Sequence, residues 1–281
     1  MYIIEIKVNN FNLNDSITSG QIFRYEKEFD NSYTLPLNDR IINIKQEGNL
    51  LFVNSNVENN LEKVVISFFD LDTDYNIYNQ RLIEMDSSLE SIINECKGFK
   101  IFKSYKFETI ISFIISANNN VSNIKKSVDL LSVKYGEKII WKNKEYYLFP
   151  NSNALKSITL EELKEMKLGF RSKYVYEMIY KVNSCEIDLE KIHEMNTKDA
   201  INYLTQYKGI GLKVASCILL FAYSKYDVFP IDTWVKKRMK ELYDTDDANE
   251  IKKIIEQKYD KYSGIVIQYM YHYKRNKEKK L

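Results

Sequence analysis

The sequence predicts an α+β fold, an N-terminal antiparallel β-sheet followed by an all-helical body in two lobes. Three observations carry this. Short runs rich in β-branched and aromatic residues gather before residue 55, the apolar spacing turns helical from Val57 onward, and strands and helices do not alternate as βαβ units would. The expected strands are 2–7 (YIIEIK), 32–36, 40–46 (RIINIKQ) and 50–54 (LLFVN), separated by Asn, Asp and Gly. Asp86 is placed to cap the helix SLESIINEC, and Thr159-Leu160-Glu161-Glu162 reads as a capping box with Ile158 as its apolar staple. Further helices are expected over 106–116, 120–135, 171–184, 198–206, 212–223, 233–242, 247–259 and 264–276, and a small hairpin over 137–149. These elements divide the chain into residues 1–98, a sheet with flanking helices, and 99–281, the helical body, with a cleft expected between its lobes.

With 281 residues, 44% of them hydrophobic, the chain can bury a substantial core. No run approaches roughly 18 consecutive apolar residues, and no signal peptide opens the chain, so a cytoplasmic protein without membrane contact is expected. Cys96, Cys185 and Cys217 are far apart, and His193 and His272 are the only histidines, which argues against a disulfide framework, an iron–sulfur cluster and a zinc site. No metal or cofactor is expected. The net charge of +2 hides an asymmetry: residues 1–95 hold 7 Lys/Arg against 16 Asp/Glu, and the remainder 34 against 23. The basic part is where nucleic acid would lie. The terminal KRNKEKK reads as a solvated tail.

The most informative stretch runs from Leu204 to Arg238, LTQYKGIGLKVASCILLFAYSKYDVFPIDTWVKKR. A turn with Gly209 and Gly211, next to a helix N-terminus, offers backbone N–H donors to an anion such as phosphate. The turn, 205–213, ends on Lys213 in the first turn of an apolar helix, and Asp232 caps or opens the next one. An amine and a carboxylate facing one cleft suit nucleophilic attack on carbon. Such a lysine must be neutral, so desolvation by GLKVASCILLFA and the positive helix end are expected to lower its pKa toward roughly 7–8.

YKGIGLKVASC followed by FPIDTW resembles the helix-hairpin-helix and Gly/Pro-Asp signature of base-excision DNA glycosylases, and the lysine marks the bifunctional glycosylase/AP-lyase branch. Ser19-Gly20-Gln21-Ile22-Phe23-Arg24-Tyr25, Ile115-Ser116-Ala117-Asn118-Asn119-Asn120 and Leu168-Gly169-Phe170-Arg171 resemble segments of the 8-oxoguanine DNA glycosylases, in the family's order. The resemblance implies a TBP-like N-terminal sheet and an enzyme that flips 8-oxoguanine out of duplex DNA, acting as a monomer. It implies Lys213 as the Schiff-base nucleophile, and Asp232 as the group that stabilises charge on the sugar and assists proton transfer. Gly20 would offer its carbonyl to the N7–H of the lesion, with Cys217 on one face of the base and Tyr271 on the other. Asn118 would fill the vacated gap, Phe170 would wedge the duplex, and Arg171 would donate to the widowed cytosine. Lys208, Gly209 and Gly211 would anchor a phosphate.

The chain departs from that pattern in three places. Ile267 stands where the family has a glutamine reading the base edge, and Gln268 is rotated by about 100° from it on a helix, so it is not expected to substitute. Asn123 replaces the second arginine of the eukaryotic members, which predicts weaker discrimination of the opposite base. Trp234 stands where those members carry a histidine near the phosphate. Two other readings stay open at this level: a glycosylase of the same scaffold for another oxidised or alkylated base, and a noncatalytic DNA-binding module.

Overall fold

The computed structural model describes residues 2–279. Strands β1 (Tyr2–Lys7), β2 (Glu26–Lys27), β3 (Tyr33–Leu37), β4 (Arg40–Glu47) and β5 (Leu50–Ser55) form one antiparallel sheet in the order β1-β5-β4-β3-β2. Ile44, Leu51 and Val53 alternate with more exposed neighbours along β4 and β5, and with Ile42 they pack against Leu13, Ile17, Val65 and Phe69 into a core of their own. The four expected strands are present to within a residue or so. The two-residue β2 was not expected, being too short to carry an alternating pattern.

Helices α1 (Leu13–Ile17), α2 (Leu61–Phe68), α3 (Tyr75–Met85), α4 (Glu90–Glu95), α5 (Lys106–Ser116) and α6 (Val121–Tyr135) come next, then the hairpin β6 (Lys138–Trp141) and β7 (Lys144–Tyr147). Trp141 and Leu148 pack with Ile41, which seats this hairpin on the sheet. The chain continues through α7 (Leu160–Glu165), α8 (Arg171–Asn183), α9 (Lys191–Glu194), α10 (Thr197–Thr205), α11 (Leu212–Tyr223), α12 (Thr233–Tyr243), α13 (Ala248–Tyr259) and α14 (Ser263–Lys279). The capping box at Thr159 and Glu162 is formed.

Asp86 accepts from Ser88 N–H as an N-cap, though of a single 3₁₀ turn leading into α4. It also takes the hydroxyls of Tyr243 (2.7 Å) and Tyr259 (2.6 Å), and so ties this end to α12 and α13. Burial works against its charge, but these bonds and Lys258 hold the carboxyl well below the usual carboxylate range.

The helices sort into two groups. In one, α5 packs against α6, α8 and α11, with α7 on α8 and α10 on α11; in the other, α14 packs against α4, α12 and α13. Leu82, Leu89, Ile92 and Ile93, all before residue 98, bury themselves in the helical core and not under the sheet. Among the described residues no helix is long and apolar enough to cross a membrane.

The C-terminal segment departs from the expected solvated tail. Helix α14 runs through it, Lys274 pairs with Glu241, Arg275 donates to the Thr18 carbonyl at 2.5 Å, and Asn276 meets His272. The helix supplies acidic and carbonyl partners that a charge count cannot foresee. The last residue of KRNKEKK lies outside the described residues.

Candidate active site

Lys213 is the second residue of α11, and Asp232 is the N-cap of α12, its carboxylate accepting from the N–H groups of Trp234 (3.0 Å) and Val235 (2.9 Å). Both border one solvent-open cleft. Gly20, Cys217, Ile267, Gln268 and Tyr271 border it too. Gly20 and Tyr271, 251 positions apart in sequence, thus share one wall. The N-terminal loop reaches the cleft because Arg275 holds the Thr18 carbonyl beside it. Gly20 has φ +91°, a conformation that glycine adopts without strain, and a Cβ there would lie 3.5 Å from the Tyr271 hydroxyl.

The electrostatics of Lys213 correct one expectation. Its pKa lies above the ordinary lysine value, because a thiolate at Cys217, one helical turn on, would favour the ammonium, and the Asp232 carboxylate adds to this; desolvation pulls the other way and loses. Lys213 is exposed as a residue, but its amine is largely surrounded by protein, with Nζ 5.8 Å from the Phe113 ring centroid. Read from the sequence, the apolar neighbours, Asp232 and Cys217 all stand near the amine, but desolvation carries the larger weight; in the structure the acidic groups outweigh it. Lys213 therefore rests as an ammonium. Burial raises Asp232 above its usual range, against the pull of the two helix N–H groups and Lys213, and it raises the Cys217 thiol as well, so that Cys217 is neutral near pH 7.

A pH prediction follows. If the neutral amine is the attacking form, the single-turnover excision rate rises about tenfold per pH unit from pH 6 to 8, since the neutral fraction grows by that factor below the pKa. A flat profile would count against the amine.

Gln268, one of the expected substrate-binding residues, borders the cleft. The rotation of about 100° between adjacent helical positions does not remove it from the cleft, because the cleft spans that much of the α14 surface and takes in Ile267, Gln268 and Tyr271 together. Gln268 is buried and, among the described residues, its amide has no hydrogen-bond partner. Trp234 sets its ring edge-on to Tyr271, with centroids 6.4 Å apart, which makes it a support for that aromatic. Phe113 and Phe221, stacked at 5.4 Å, complete the apolar wall. Sequence reasoning missed both, since nothing in their spacing separates them from core residues.

The remaining candidates lie outside the cleft. Lys208 is exposed on the hairpin, and Gly209 has φ +88°. A Cβ on Gly209 would come within 2.6 Å of Tyr174, so the hairpin sits against α8 as only a glycine permits. Gly209→Ala should cost about 1–3 kcal/mol of stability and weaken DNA binding, measured by thermal melting and filter binding. Gly211, the N-cap of α11, is extended at φ −86°, ψ 178° and leaves that helix end without a side-chain cap. Asn118 and Phe170 are exposed, with Asn118 left-handed at φ +50°. Arg171 is buried, and all its described bonds go to backbone carbonyls.

Residues 3–110 match the family described as 8-oxoguanine DNA glycosylase, N-terminal domain. The chain is 25% identical over 225 residues to the probable N-glycosylase/DNA lyase of Methanothermobacter thermautotrophicus, covering 72% of this chain and 71% of that one. A solved complex of MBOgg1 with a low-affinity DNA ligand is 34% identical, with a TM-score of 0.93 over 98% of this chain and 96% of that one. The Clostridium acetobutylicum 8-oxoguanine glycosylase/lyase, in complex with dsDNA containing cytosine opposite to 8-oxoG, is 32% identical with a TM-score of 0.92 over 99% of both chains. Likeness of this degree along the whole length, sheet and helical body alike, makes the chain a member of the 8-oxoguanine DNA glycosylase/lyase family of helix-hairpin-helix proteins.

Proposed function

We infer that this protein is a base-excision repair enzyme that removes 8-oxoguanine from duplex DNA and nicks the strand at the resulting site. The observation that carries the reading is the meeting of Lys213 and Asp232 in one cleft with Gly20, Cys217 and Tyr271. A noncatalytic binding module needs no amine and carboxylate together in a pocket.

The extruded nucleotide enters the cleft and Lys213 gives up its proton, with Asp232, the carboxylate that borders the cleft, to receive or relay it. The Nζ lone pair attacks C1′, the bond from C1′ to N9 breaks, and the departing purine takes up a proton. Asp232 offsets the positive charge that builds on the sugar. The nitrogen then drives out O4′, which takes up a proton as the C1′–O4′ bond breaks, and the ring-opened Schiff base loses a C2′ proton while the bond from C3′ to oxygen breaks to release the 3′ phosphate. Entry of the nucleotide displaces water from the cleft, and that is what shifts the ammonium toward the neutral amine.

In this reading Gly20 accepts from the lesion's N7–H. Guanine, which carries a lone pair there, leaves the carbonyl unpaired. Cys217 and Tyr271 flank the base. Asn118 fills the gap, Phe170 wedges the stack, and Lys208 with the Gly209–Gly211 turn holds a phosphate. The division at residues 98 and 99, action as a monomer and a cytoplasmic location belong to the same proposal.

The test is to incubate the protein with borohydride and a duplex bearing one 8-oxoguanine. A covalent protein–DNA adduct is expected, and its absence, with an intact strand, overturns the reading. With Asn123 in place of an arginine, about 1–3 kcal/mol of opposite-base discrimination is lost, so excision rates opposite the four bases should lie within about tenfold of one another.

A further inference from the structure

Helix α14 meets the N-terminal loop at two points. Tyr271 and Arg275 are four residues apart and so lie on one face of the helix, a turn from each other. A Cβ on Gly20 would stand 3.5 Å from the Tyr271 hydroxyl and 4.0 Å from Arg275 Nη1, and that same Nη1 donates to the Thr18 carbonyl at 2.5 Å. Tyr271 borders the cleft, whereas Arg275 is half-buried behind it and does not. The guanidinium therefore meets the site through the loop.

The other side of the loop is held by Gln21, which is 2% exposed. Its Nε2 donates to the carbonyls of Ser16 (3.2 Å) and Lys100 (2.9 Å), and its Oε1 accepts from the Phe102 N–H at 2.8 Å. Gly20 is thus suspended between two anchored neighbours, while among the described residues nothing bonds to its own N–H or carbonyl. At φ +91° a glycine has no side chain to resist rotation, so the direction of its carbonyl is set from outside. A charge-assisted bond is a strong way to set it, and α14 is itself packed on α4, α12 and α13. Resting on the function proposed above, we propose that Arg275 is a positioning residue for lesion recognition: it fixes the Gly20 carbonyl relative to the Tyr271 ring, so that one turn of α14 gauges the slot in which the base is read.

The experiment measures single-turnover rates, with enzyme in excess, on two duplexes, one carrying 8-oxoguanine opposite cytosine and the other a preformed abasic site. Cleavage at the abasic site calls on Lys213 and Asp232 but has no base to be read. Arg275→Met, which keeps most of the apolar stem, should slow excision on the order of tenfold to a hundredfold, the scale of loss from misplacing a group by about 1 Å, and leave abasic cleavage within about twofold of wild type. Arg275→Lys keeps a cationic donor without the fork and loses less. A defect of folding, or a lost contact to a DNA phosphate, slows both reactions alike, and that result overturns the proposal, as does excision by Arg275→Met at the wild-type rate. Should Arg275→Met fail to fold in a thermal melt, Arg275→Lys is judged by the same split between the two duplexes. Wild type that leaves 8-oxoguanine in place sinks the proposed function instead, which keeps the two failures apart.

Discussion

Lys213→Gln abolishes the borohydride adduct and lowers single-turnover excision of 8-oxoguanine by at least about a thousandfold, as expected when the only nucleophile of a covalent mechanism is removed. Glutamine keeps most of the side-chain length at the second position of α11, and the residue is exposed, so the thermal midpoint should move little. The pairing of lost chemistry with retained fold is what makes the result specific. DNA binding should persist as well, since the hairpin at Lys208 and the exposed Phe170 are untouched. An adduct that survived in this variant would place the nucleophile elsewhere and remove the basis of the proposed mechanism.

Asp232→Asn should lower excision on the order of a hundredfold to ten-thousandfold, again with little loss of stability. The second part of that expectation comes from the cap. Asp232 accepts from Trp234 and Val235 N–H, and asparagine caps a helix about as well as aspartate. Asp232→Ala is a poorer test, since it also removes the cap, at a cost of about 1 kcal/mol. The amide therefore separates the two jobs of one side chain. Rates measured with the wild type should also fall on the acid side at a pH above the ordinary aspartate range, because burial raises the pKa of this carboxyl and protonation removes the charge that the sugar needs. If Asp232→Asn excised at the wild-type rate, Asp232 would be a cap and nothing more.

Much of this was legible in the sequence because it is written locally. The capping box at Thr159, the Gly209 turn, the Asp232 cap and the alternation of β4 and β5 each need only a few consecutive residues, and each is found where expected. What could not be read depends on meetings across the chain. Position β1 beside β5 follows from hydrogen bonding along the whole sheet, and α3 and α4 join the helical core because α14 lies over α4. Phe113 looks like any apolar residue of α5 until α11 brings Lys213 above it. Gln268 seemed one step out of phase, but a broad cleft admits both it and Ile267. That Arg171 also donates to three backbone carbonyls, of Ala117, Asn118 and Leu168, is another meeting across the chain that the sequence does not display.

The charged amine of the resting protein has one more consequence. A neutral lysine at the mouth of an unlidded cavity would condense with any sugar or aldehyde that diffused in, and the protein would foul itself between encounters with damage. With its pKa above the ordinary lysine value and the Asp232 carboxylate in the same cleft, Lys213 stays an ammonium, inert toward such carbonyls until a nucleotide arrives to strip away its hydration. Protonation here serves as the safety catch that other enzymes build from a moving loop.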